Sequence, residues 1–351
     1  LCRTAFPPGE RGASEHGSQC LMGAVAKLLL RSWYTPMWVT PLFIPVSVLY
    51  RAFMAVRGLL YQSGVFKIQD FDVPIIVVGN LTVGGTGKTP LLIHLSKELM
   101  AHGFKPGVVS RGYGTKGPYP VQVTSNTDVL RSGDEPLLIA RSLDVPVVVD
   151  PDRVNAVREI LKTGSVDIVL SDDGLQHTRL GRQLEIVVID GKRGLGNGLL
   201  LPAGPLREPP KRLNTVNVVV RHGGTPKPGE SSLETSLGAV VNINDGREST
   251  LASFEGKQCV VITAIANPDR FFQQLSDEGL QFECVEFSDH YYFSFKDLKR
   301  YQNSTVLMTE KDAVKCQVLA GPDWWQVGQN VRTGGQVVET VLQVAKAGSI
   351  V

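Results

Sequence analysis

The stretch "NLTVGGTGKTP", Asn80 to Pro90, directly follows the apolar run "VPIIVV" and decides the fold. Its small residues allow backbone N–H groups to turn inward onto an anion, and the helix predicted to follow points its positive N-terminus at the same place. A glycine-rich turn without chemical consequence rarely carries Gly-Lys-Thr between a buried strand and a helix. The stretch therefore predicts a phosphate-binding loop.

The frame of this loop departs in one place from the usual G-x-x-x-x-G-K-[ST], because Thr82 replaces the first glycine. Lys88 is predicted to bridge the outer two phosphates of a nucleotide, and the Thr89 hydroxyl to ligate Mg²⁺. The residues predicted to hold the nucleotide phosphates are Thr82, Val83, Gly84, Gly85, Thr86, Gly87, Lys88 and Thr89.

Two carboxylates are predicted to complete the metal site. Asp172 and Asp173 follow the apolar run "VDIVLS", and an acidic residue closing such a strand contacts Mg²⁺ directly or through water in P-loop folds. The alternative is a pair of solvated carboxylates at a strand end, but the presence of the loop favours the metal. The predicted Mg²⁺ ligands are thus Thr89, Asp172 and Asp173.

Beyond the loop, short runs rich in Val and Ile alternate with helical stretches. Such runs with helical crossovers predict a parallel sheet that is covered on both faces. The predicted fold class is α/β, a P-loop NTPase-like, mainly parallel sheet with a second, smaller α/β domain. The predicted strands of the first part are 73–79, 106–112, 145–150, 166–172, 184–190 and 216–220, and its predicted helices include Pro90–His102 and Arg153–Lys162.

The chain is predicted to contain four segments. The first lacks the apolar run of a signal peptide and is expected to be a disordered leader, with Met22 as the expected start of the protein. A loop or linker is predicted at 224–232 and a last helix near 334–347. The four segments are the leader 1–21, a membrane-associated helical segment 22–61, the P-loop domain 62–225 and the smaller C-terminal domain 226–351.

The segment Ser32–Tyr50 carries no charged residue, although prolines interrupt it. After Pro45, residues 46–61 can form a helix that is apolar nearly all round, with Ser47 on its narrow polar side and Arg57 on its apolar face. Aromatic residues near its start, and basic residues without acidic ones around it, are typical of an anionic membrane surface. We expect this helix to lie on or dip into a leaflet rather than span it.

The composition sets limits on partners and compartment. Hydrophobic residues make up 42% and charged residues 20% of the chain, which is typical of a soluble globular protein. A net charge of +2 provides no basic field for nucleic acid, so no nucleic-acid partner is predicted. The five cysteines lack metal-ligand spacing and indicate reduced thiols in the cytosol.

Several classes of protein share this phosphate-binding loop, so the fold alone does not select the chemistry. A GTPase would need an N/T-K-x-D guanine reader, and in "TEKD", residues 309–312, the lysine stands one place too late. A partitioning ATPase would carry a lysine where Val83 stands. A kinase is therefore favoured, with a regulatory P-loop switch that binds nucleotide and a membrane partner, and hydrolyses ATP without an acceptor, as the rival.

A kinase that acts on a hydroxyl needs a proton acceptor and cations near the transferring phosphoryl group. Asp134 and Glu135 in "SGDEP" and His290 in "FSDHYYFS" are candidates for the first role, and Arg207 in "LPAGPLREP" for the second. Each also has a structural alternative, such as a helix cap for Asp134 or an ion pair with Glu208 for Arg207. Spacing along the chain does not show that these residues converge.

Taken together in order, these motifs resemble the bacterial tetraacyldisaccharide 4′-kinase family of lipid A biosynthesis. The resemblance runs from about Leu42 to near Cys316, and several of the motifs are rarely seen elsewhere. The motifs that carry it are "VVGNLTVGGTGKTP", "SRGYG", "GDEP", "DDGLQH", "LPAGPLREP", "FSDHYYFS" and "TEKDAVK".

The resemblance implies transfer of the γ-phosphate of ATP, with Mg²⁺, to the 4′-hydroxyl of an acylated glucosamine disaccharide 1-phosphate, which gives lipid IVA. It implies a monomer on the cytoplasmic face of the bacterial inner membrane, attached peripherally or monotopically by its N-terminal helix. Such an attachment agrees with the basic charge of that segment.

The resemblance also implies roles for individual residues. Asp134 is expected to be the general base, and His290 to pair with it and raise its basicity, after closure of the two domains brings them together. Asp172 and Asp173 match the metal-binding pair of the family. Gln176 and Arg207 match residues that contact or stabilise the transferring phosphate, so Arg207 is expected to be catalytic. Lys88 of the phosphate-binding loop is expected to be catalytic as well.

Overall fold

The computed structural model describes residues 30–35 and 37–348, so the predicted leader and Met22 lie outside the described residues. The strands are β1 Ile75–Gly79, β2 Pro106–Ser110, β3 Val121–Val123, β4 Val147–Val149, β5 Ile168–Asp172, β6 Leu184–Asp190, β7 Val218–His222, β8 Glu230–Asn242, β9 Glu248–Ser249, β10 Cys259–Thr263, β11 Phe282–Glu286, β12 Thr305–Thr309 and β13 Trp324–Thr333.

Helices lie between most of these strands, and residues 30–34 are helical as well. Three short 3₁₀ helices occupy Pro210–Asn214, Leu251–Phe254 and Lys299–Tyr301. The α-helices are α1 Thr40–Gln62, α2 Lys88–Ala101, α3 Val129–Ser132, α4 Asp134–Ser142, α5 Arg153–Leu161, α6 Pro268–Asp277, α7 Phe295–Leu298, α8 Glu310–Cys316 and α9 Gly335–Gly348.

One sheet of 13 strands runs through the described chain, in the order β11-β10-β12-β13-β8-β7-β6-β1-β5-β2-β4-β3, with β9 beside β8. In the central strand β1, Ile75 and Val77 enter the core on one face of the sheet, and Ile76 and Val78 enter the core on the other. A strand covered on both faces needs apolar side chains at every position, which explains its continuous apolar run. The predicted α/β fold class is confirmed.

Most strand pairs are parallel, as predicted, but three are antiparallel. Strand β3 pairs antiparallel with β4, and both β13 and β9 pair antiparallel with β8. The predicted loop 224–232 is wrong at its end, because Glu230 already begins β8 and lies beside Val219 of β7. The polar start of β8 is stabilised by an ion pair of 2.5 Å between Arg221 and Glu230, which apolar patterning does not reveal.

Strand β8 joins the two halves of the sheet. Its residue Leu233 lies in a core of the first half, and Val240 lies in a core of the second half. The last helix, predicted near 334–347, is confirmed as α9, and its Val337 and Val341 pack into the same core as α2. The chain thus returns to the first half at its end, while the predicted domain boundary near residue 225 stays a prediction.

The N-terminal helix begins earlier than predicted. Helix α1 starts at Thr40 rather than after Pro45, because Pro41 occupies the first turn, where a missing N–H costs nothing. Arg57 was expected on the apolar face; instead its guanidinium donates to the Gln176 carbonyl at 3.1 Å. The body of the protein therefore holds the polar side of α1, and its apolar side is left exposed.

Candidate active site

The phosphate-binding loop runs from the end of β1 to the start of α2. Its first part is fixed to the loop before Arg207, since Thr82 bridges to Leu206 and the Val83 N–H donates to the Pro205 carbonyl at 2.9 Å. Gly87 has φ 96, in the left-handed region, and immediately precedes the first residue of α2. The N-terminus of α2 therefore points where a phosphate group would lie.

Lys88 is the first residue of this helix, and two polar contacts fix its side chain. It is only 8% exposed. Its ammonium group donates to Asn80 Oδ1 at 3.1 Å and lies 3.4 Å from Asp173 Oδ1. A buried ammonium in this position supplies a fixed positive charge at the floor of the site.

Asp172 at the end of β5 is a fully buried carboxylate, and one of its two oxygens lacks a hydrogen-bond partner among the described residues. Its Oδ2 accepts from the Ser110 hydroxyl at 3.1 Å, while Oδ1 has no hydrogen-bond partner among the described residues. Burial, reinforced by the nearby charge of Glu135, raises the pKa of Asp172 to about 7. An unpartnered buried carboxylate oxygen beside a phosphate-binding loop fits a divalent cation, which would supply the missing partner.

The described residues contain no dedicated cation cage, since no three His, Cys, Asp or Glu side chains are grouped to hold a metal. Mg²⁺ in phosphate-transfer sites needs only one or two carboxylates, because nucleotide phosphates and water complete its coordination. The donor set of Thr89 and Asp172 agrees with that pattern.

Asp173 has a different environment from its neighbour. Both of its oxygens accept from Arg207 Nη1, at 2.8 and 3.0 Å. Burial alone would raise its pKa, but the charges of Lys88 and Arg207 outweigh it and lower the pKa of Asp173 below its ordinary value. In this structure Asp173 thus orders two cations at the site, and Arg207 pairs with Asp173 rather than with Glu208.

Gln176 extends this network. Its side-chain oxygen accepts from Arg207 Nη1 at 3.2 Å, and its amide donates to the Asn80 carbonyl at 3.3 Å and to Glu208 at 2.8 Å. Gln176 therefore connects the carboxylate pair after β5 to the start of the phosphate-binding loop.

Asp134 begins α4, immediately after Gly133. Its two carboxylate oxygens lie 3.0 and 2.9 Å from Nδ1 of His290, which belongs to the loop after β11. The expected pairing of these two residues is therefore present in this structure, without any further closure of the two halves. The only two non-glycine residues with positive φ in the described chain are His290, with φ 58, and Asp173, with φ 47, and both belong to this site.

The charges of this pair are set by its surroundings. Burial would raise the pKa of Asp134, but the charge of Lys311 and the hydrogen bond from His290 prevail and hold it below its ordinary range. Burial would lower the pKa of His290, but the hydrogen bond to Asp134 raises it overall. The expectation that His290 raises the basicity of Asp134 is therefore wrong, because its hydrogen bond stabilises the ionised form and lowers the pKa of Asp134. Asp134 is an ionised carboxylate that can accept a proton.

Every predicted site residue except Thr82 lines one cavity of about 910 Å³. The phosphate-binding loop, the Asp172–Asp173 pair and the Asp134–His290 pair therefore share this cavity. A nucleotide held by the loop would have its phosphates in the same cavity as a carboxylate that can accept a proton. The arrangement is suited to phosphoryl transfer onto a hydroxyl group.

Sequence reasoning missed a group of residues beside the phosphate-binding loop, namely His222, Arg270 and Asp190, which also line the cavity. The His222 ring lies 2.9 Å from the Thr86 carbonyl, and a Cβ on Gly87 would meet its Nδ1 at 2.3 Å. Burial, together with the adjacent charge of Arg270, lowers the pKa of His222 to about 4. Arg270 also lies 3.3 Å from Asp190 at the end of β6. The only signal for this group was the placement of Asp190 and His222 at strand ends.

The N-terminal helix reaches the same site, which the sequence did not indicate. The Tyr50 hydroxyl donates to the Arg207 carbonyl at 2.9 Å, and Arg57 donates to the Gln176 carbonyl. The helix is thus attached through the backbone of two residues that border the phosphate-binding loop.

Comparison with known proteins agrees with this geometry. A family model described as LpxK, tetraacyldisaccharide-1-P 4′-kinase, matches residues 39–346. The tetraacyldisaccharide 4′-kinase of Mannheimia succiniciproducens is 40% identical over 326 residues, which cover 91% of this chain and 100% of the relative. That of Nitrosococcus oceani is 43% identical over 330 residues, which cover 93% of this chain and 97% of the relative.

The fold is also that of a solved structure. The crystal structure of LpxK from Aquifex aeolicus in complex with ATP superposes with a TM-score of 0.76 at 27% identity, covering 87% of this chain and 99% of the other. The resemblance seen in the motifs is therefore confirmed over nearly the whole described length. The chain belongs to the tetraacyldisaccharide-1-phosphate 4′-kinase family.

Proposed function

We propose that this protein transfers the γ-phosphate of ATP to the 4′-hydroxyl of tetraacyldisaccharide 1-phosphate and so forms lipid IVA in lipid A biosynthesis. The observation that carries the proposal is the Asp134–His290 pair, which lines the same cavity as the phosphate-binding loop. The membership of the family specifies the acceptor.

The triphosphate of ATP lies on the loop from Thr82 to Thr89, where backbone N–H groups and Lys88 neutralise its charge. Mg²⁺ when bound would supply positive charge to the outer phosphates. Thr89 and the free oxygen of Asp172 would hold it, with Asp173 beside them. Arg207 lies within reach of the same region and stabilises the charge on the transferring group, with Gln176 fixing its orientation.

The acceptor hydroxyl lies between the terminal phosphate and Asp134. As its oxygen forms the new bond to phosphorus, the bond from phosphorus to the ADP oxygen breaks, and the hydroxyl proton passes to a carboxylate oxygen of Asp134. His290 orients that carboxylate through Nδ1. Because the carboxylate is ionised before the reaction, no prior deprotonation is needed.

The acyl chains of the acceptor stay in the cytoplasmic leaflet of the bacterial inner membrane. Helix α1 is long and apolar enough to cross a bilayer by length and composition, and large apolar side chains such as Leu49 and Phe53 are exposed on it. Leaving the chains in lipid avoids exposing them to water, which would cost about 0.8 kcal/mol per methylene group. We propose that the protein sits on the leaflet as a monomer and takes its substrate from there.

Incubation of the purified protein with ATP labelled in the γ-phosphate and the acylated disaccharide, presented in detergent micelles, tests the function. We expect label in the lipid and none when the disaccharide is omitted. A regulatory P-loop switch would instead release labelled inorganic phosphate at the same rate with or without the disaccharide, and that result would refute the kinase.

A further inference from the structure

Lys311 is a partly buried lysine of the "TEKDAVK" motif, and neither the motif nor the reaction above assigns it a role. It lies in the first turn of α8, in the second half of the molecule, and its side chain is 18% exposed. Its Nζ lies 2.8 Å from Glu135 Oε1, 3.7 Å from Asp134 Oδ2 and 4.0 Å from Asp289 Oδ1. One cation therefore faces three carboxylates that come from two separate parts of the chain.

The contacts of the neighbouring residue Asp312 fix the position of Lys311. The Asp312 carboxylate is fully buried and accepts from the hydroxyls of Thr263 at 3.0 Å and Thr309 at 2.8 Å. It also lies 2.8 Å from the ammonium of Lys315. Because these contacts hold the first turn of α8 against the end of β10, Lys311 reaches toward α4 from a rigid base.

The residues closest to Asp134 along α4 and in the loop after β11 are mostly acidic. Helix α4 contributes Asp134 and Glu135, both acidic, and the loop after β11 adds Asp289 beside the single imidazole of His290. Like charges at such distances repel and favour protonation or displacement of a carboxylate. Lys311 is the cation that contacts all three carboxylates in the described structure.

We propose that Lys311 is a positioning residue for the reaction: it crosses from the second half of the molecule and supplies the positive charge that holds the Asp134 carboxylate in place beside His290. This inference rests on the proposed function, because it concerns the proton acceptor of that reaction. The titratable and charged groups that face this cluster are Glu135 from α4, Asp289, His290 and Tyr292 from the loop after β11, and Lys311 and Lys315 from α8.

Kinase assays over a range of pH distinguish this role from a merely structural one. In Lys311→Met the pKa of Asp134 should rise, so the acid limb of the kcat/KM profile should move up by about 1 to 3 pH units. Lys311→Arg should keep the profile close to that of the wild type. Lys299→Met, an exposed lysine of the same half, is the matched control and should leave the profile unchanged.

Two results of these assays would overturn the proposal. A uniform loss of activity at every pH in Lys311→Met would indicate a structural role. An increase in the KM for ATP with an unshifted profile would indicate that Lys311 binds nucleotide instead. Should Lys311→Met not fold, Lys311→Gln provides the test, because it removes the same charge but keeps a polar side chain. The acid limb should again move up, and an unmoved or lowered limb would refute the role.

A measurement without turnover separates this proposal from the kinase reaction. The hydrogen bond to Asp134 raises the pKa of His290, so displacement of that carboxylate on removal of Lys311 should lower the titration midpoint of the histidine. The midpoint can be followed by NMR of protein labelled in its histidine rings, with the His290 signal assigned from His290→Gln. A downward shift in Lys311→Met but not in Lys299→Met supports the proposal even if no lipid is labelled, and an equal or raised midpoint contradicts it.

Discussion

Gly87 shows how a single residue limits what the phosphate-binding loop can contain. Its φ of 96 suits glycine, and the imidazole of His222 occupies the space that a side chain would need. In Gly87→Ala we expect ATP affinity to fall by about tenfold or more, since a loss of about 1.4 kcal/mol is already tenfold. Binding of a fluorescent ATP analogue measures it.

Gly103 is the matched control for this substitution. It has φ +86 but nothing within 4 Å of the position where a Cβ would lie in the described structure. Gly103→Ala therefore introduces the backbone strain without the collision, and we expect it to lower the melting temperature slightly and leave ATP affinity unchanged. Equal affinities for the two variants would show that the contact with His222 is irrelevant to the loop.

Substitution of Asp134 tests its predicted role as the general base. Removal of a general base typically lowers turnover by roughly 10²–10⁴-fold, and we expect a loss of that size in Asp134→Ala, with ATP binding retained. Steady-state kinetics with the acylated disaccharide measures it. Asp144→Ala, an exposed aspartate close to the end of the same helix, is the control. Near-normal kinetics for Asp134→Ala would remove Asp134 from the mechanism.

Helix α1 is the element with the clearest division between its two sides. The side toward the protein is polar, and Ser47 donates to the Leu200 carbonyl at 2.8 Å. The opposite side exposes Leu49 at 70% and Phe53 at 63%. An exposed apolar face of this size on a helix that is otherwise anchored fits the proposed contact with lipid.

Substitutions on that face should release the protein from membranes. Each apolar side chain of this size contributes about 1.5–3 kcal/mol when buried, so Leu49→Asp combined with Phe53→Asp should lower vesicle binding by roughly tenfold or more. Co-sedimentation with vesicles that contain anionic lipid measures it, and deletion of residues 22–61 should abolish binding.

The control for the lipid contact lies far along the chain. Val318 is 94% exposed after α8, and Val318→Asp should leave vesicle binding unchanged. If the double variant in α1 sediments as the wild type does, the helix is not the membrane anchor.

At the scale of the whole molecule, the Asp134–His290 pair connects the two halves and makes stability depend on pH. Because its pKa is raised, His290 contributes stability below its ordinary pKa of 6.5 and loses that contribution as pH rises through the raised value. Asp134, whose pKa is lowered, contributes above its ordinary 3.8 and loses that contribution as pH falls through the lowered value. The pair therefore stabilises the fold most between these two ordinary values.

Thermal unfolding at several pH values tests this linkage. We expect the difference in melting temperature between the wild type and His290→Gln to be largest at about pH 5.5 and to shrink at about pH 9, where the imidazole is neutral in both the folded and the unfolded chain. His102→Gln, an exposed histidine at the end of α2, should show no such dependence. A difference that does not change with pH would exclude the charged pair as its origin.

The parts of the fold and of the site that depend on adjacent residues could be predicted from the sequence. The loop from Thr82 to Thr89, the strand that precedes it and the helix that follows are determined by a few adjacent residues whose size and polarity restrict the backbone. Runs such as 184–190 coincide with a strand because both faces of the sheet are covered, so the central positions 186–189 are all apolar. Motif order alone identified the family, which the comparisons confirmed.

What the sequence could not determine is which distant residues meet. Asp134 and His290 are 156 residues apart, and Glu135 and Lys311 are 176 apart, so their contacts depend on the order of the strands and on the antiparallel pairing of β8 with β13. The sequence by itself determined the phosphate-binding loop and the family. Only the tertiary structure decided how the carboxylates are charged and held, because that depends on burial and on cations from another part of the chain.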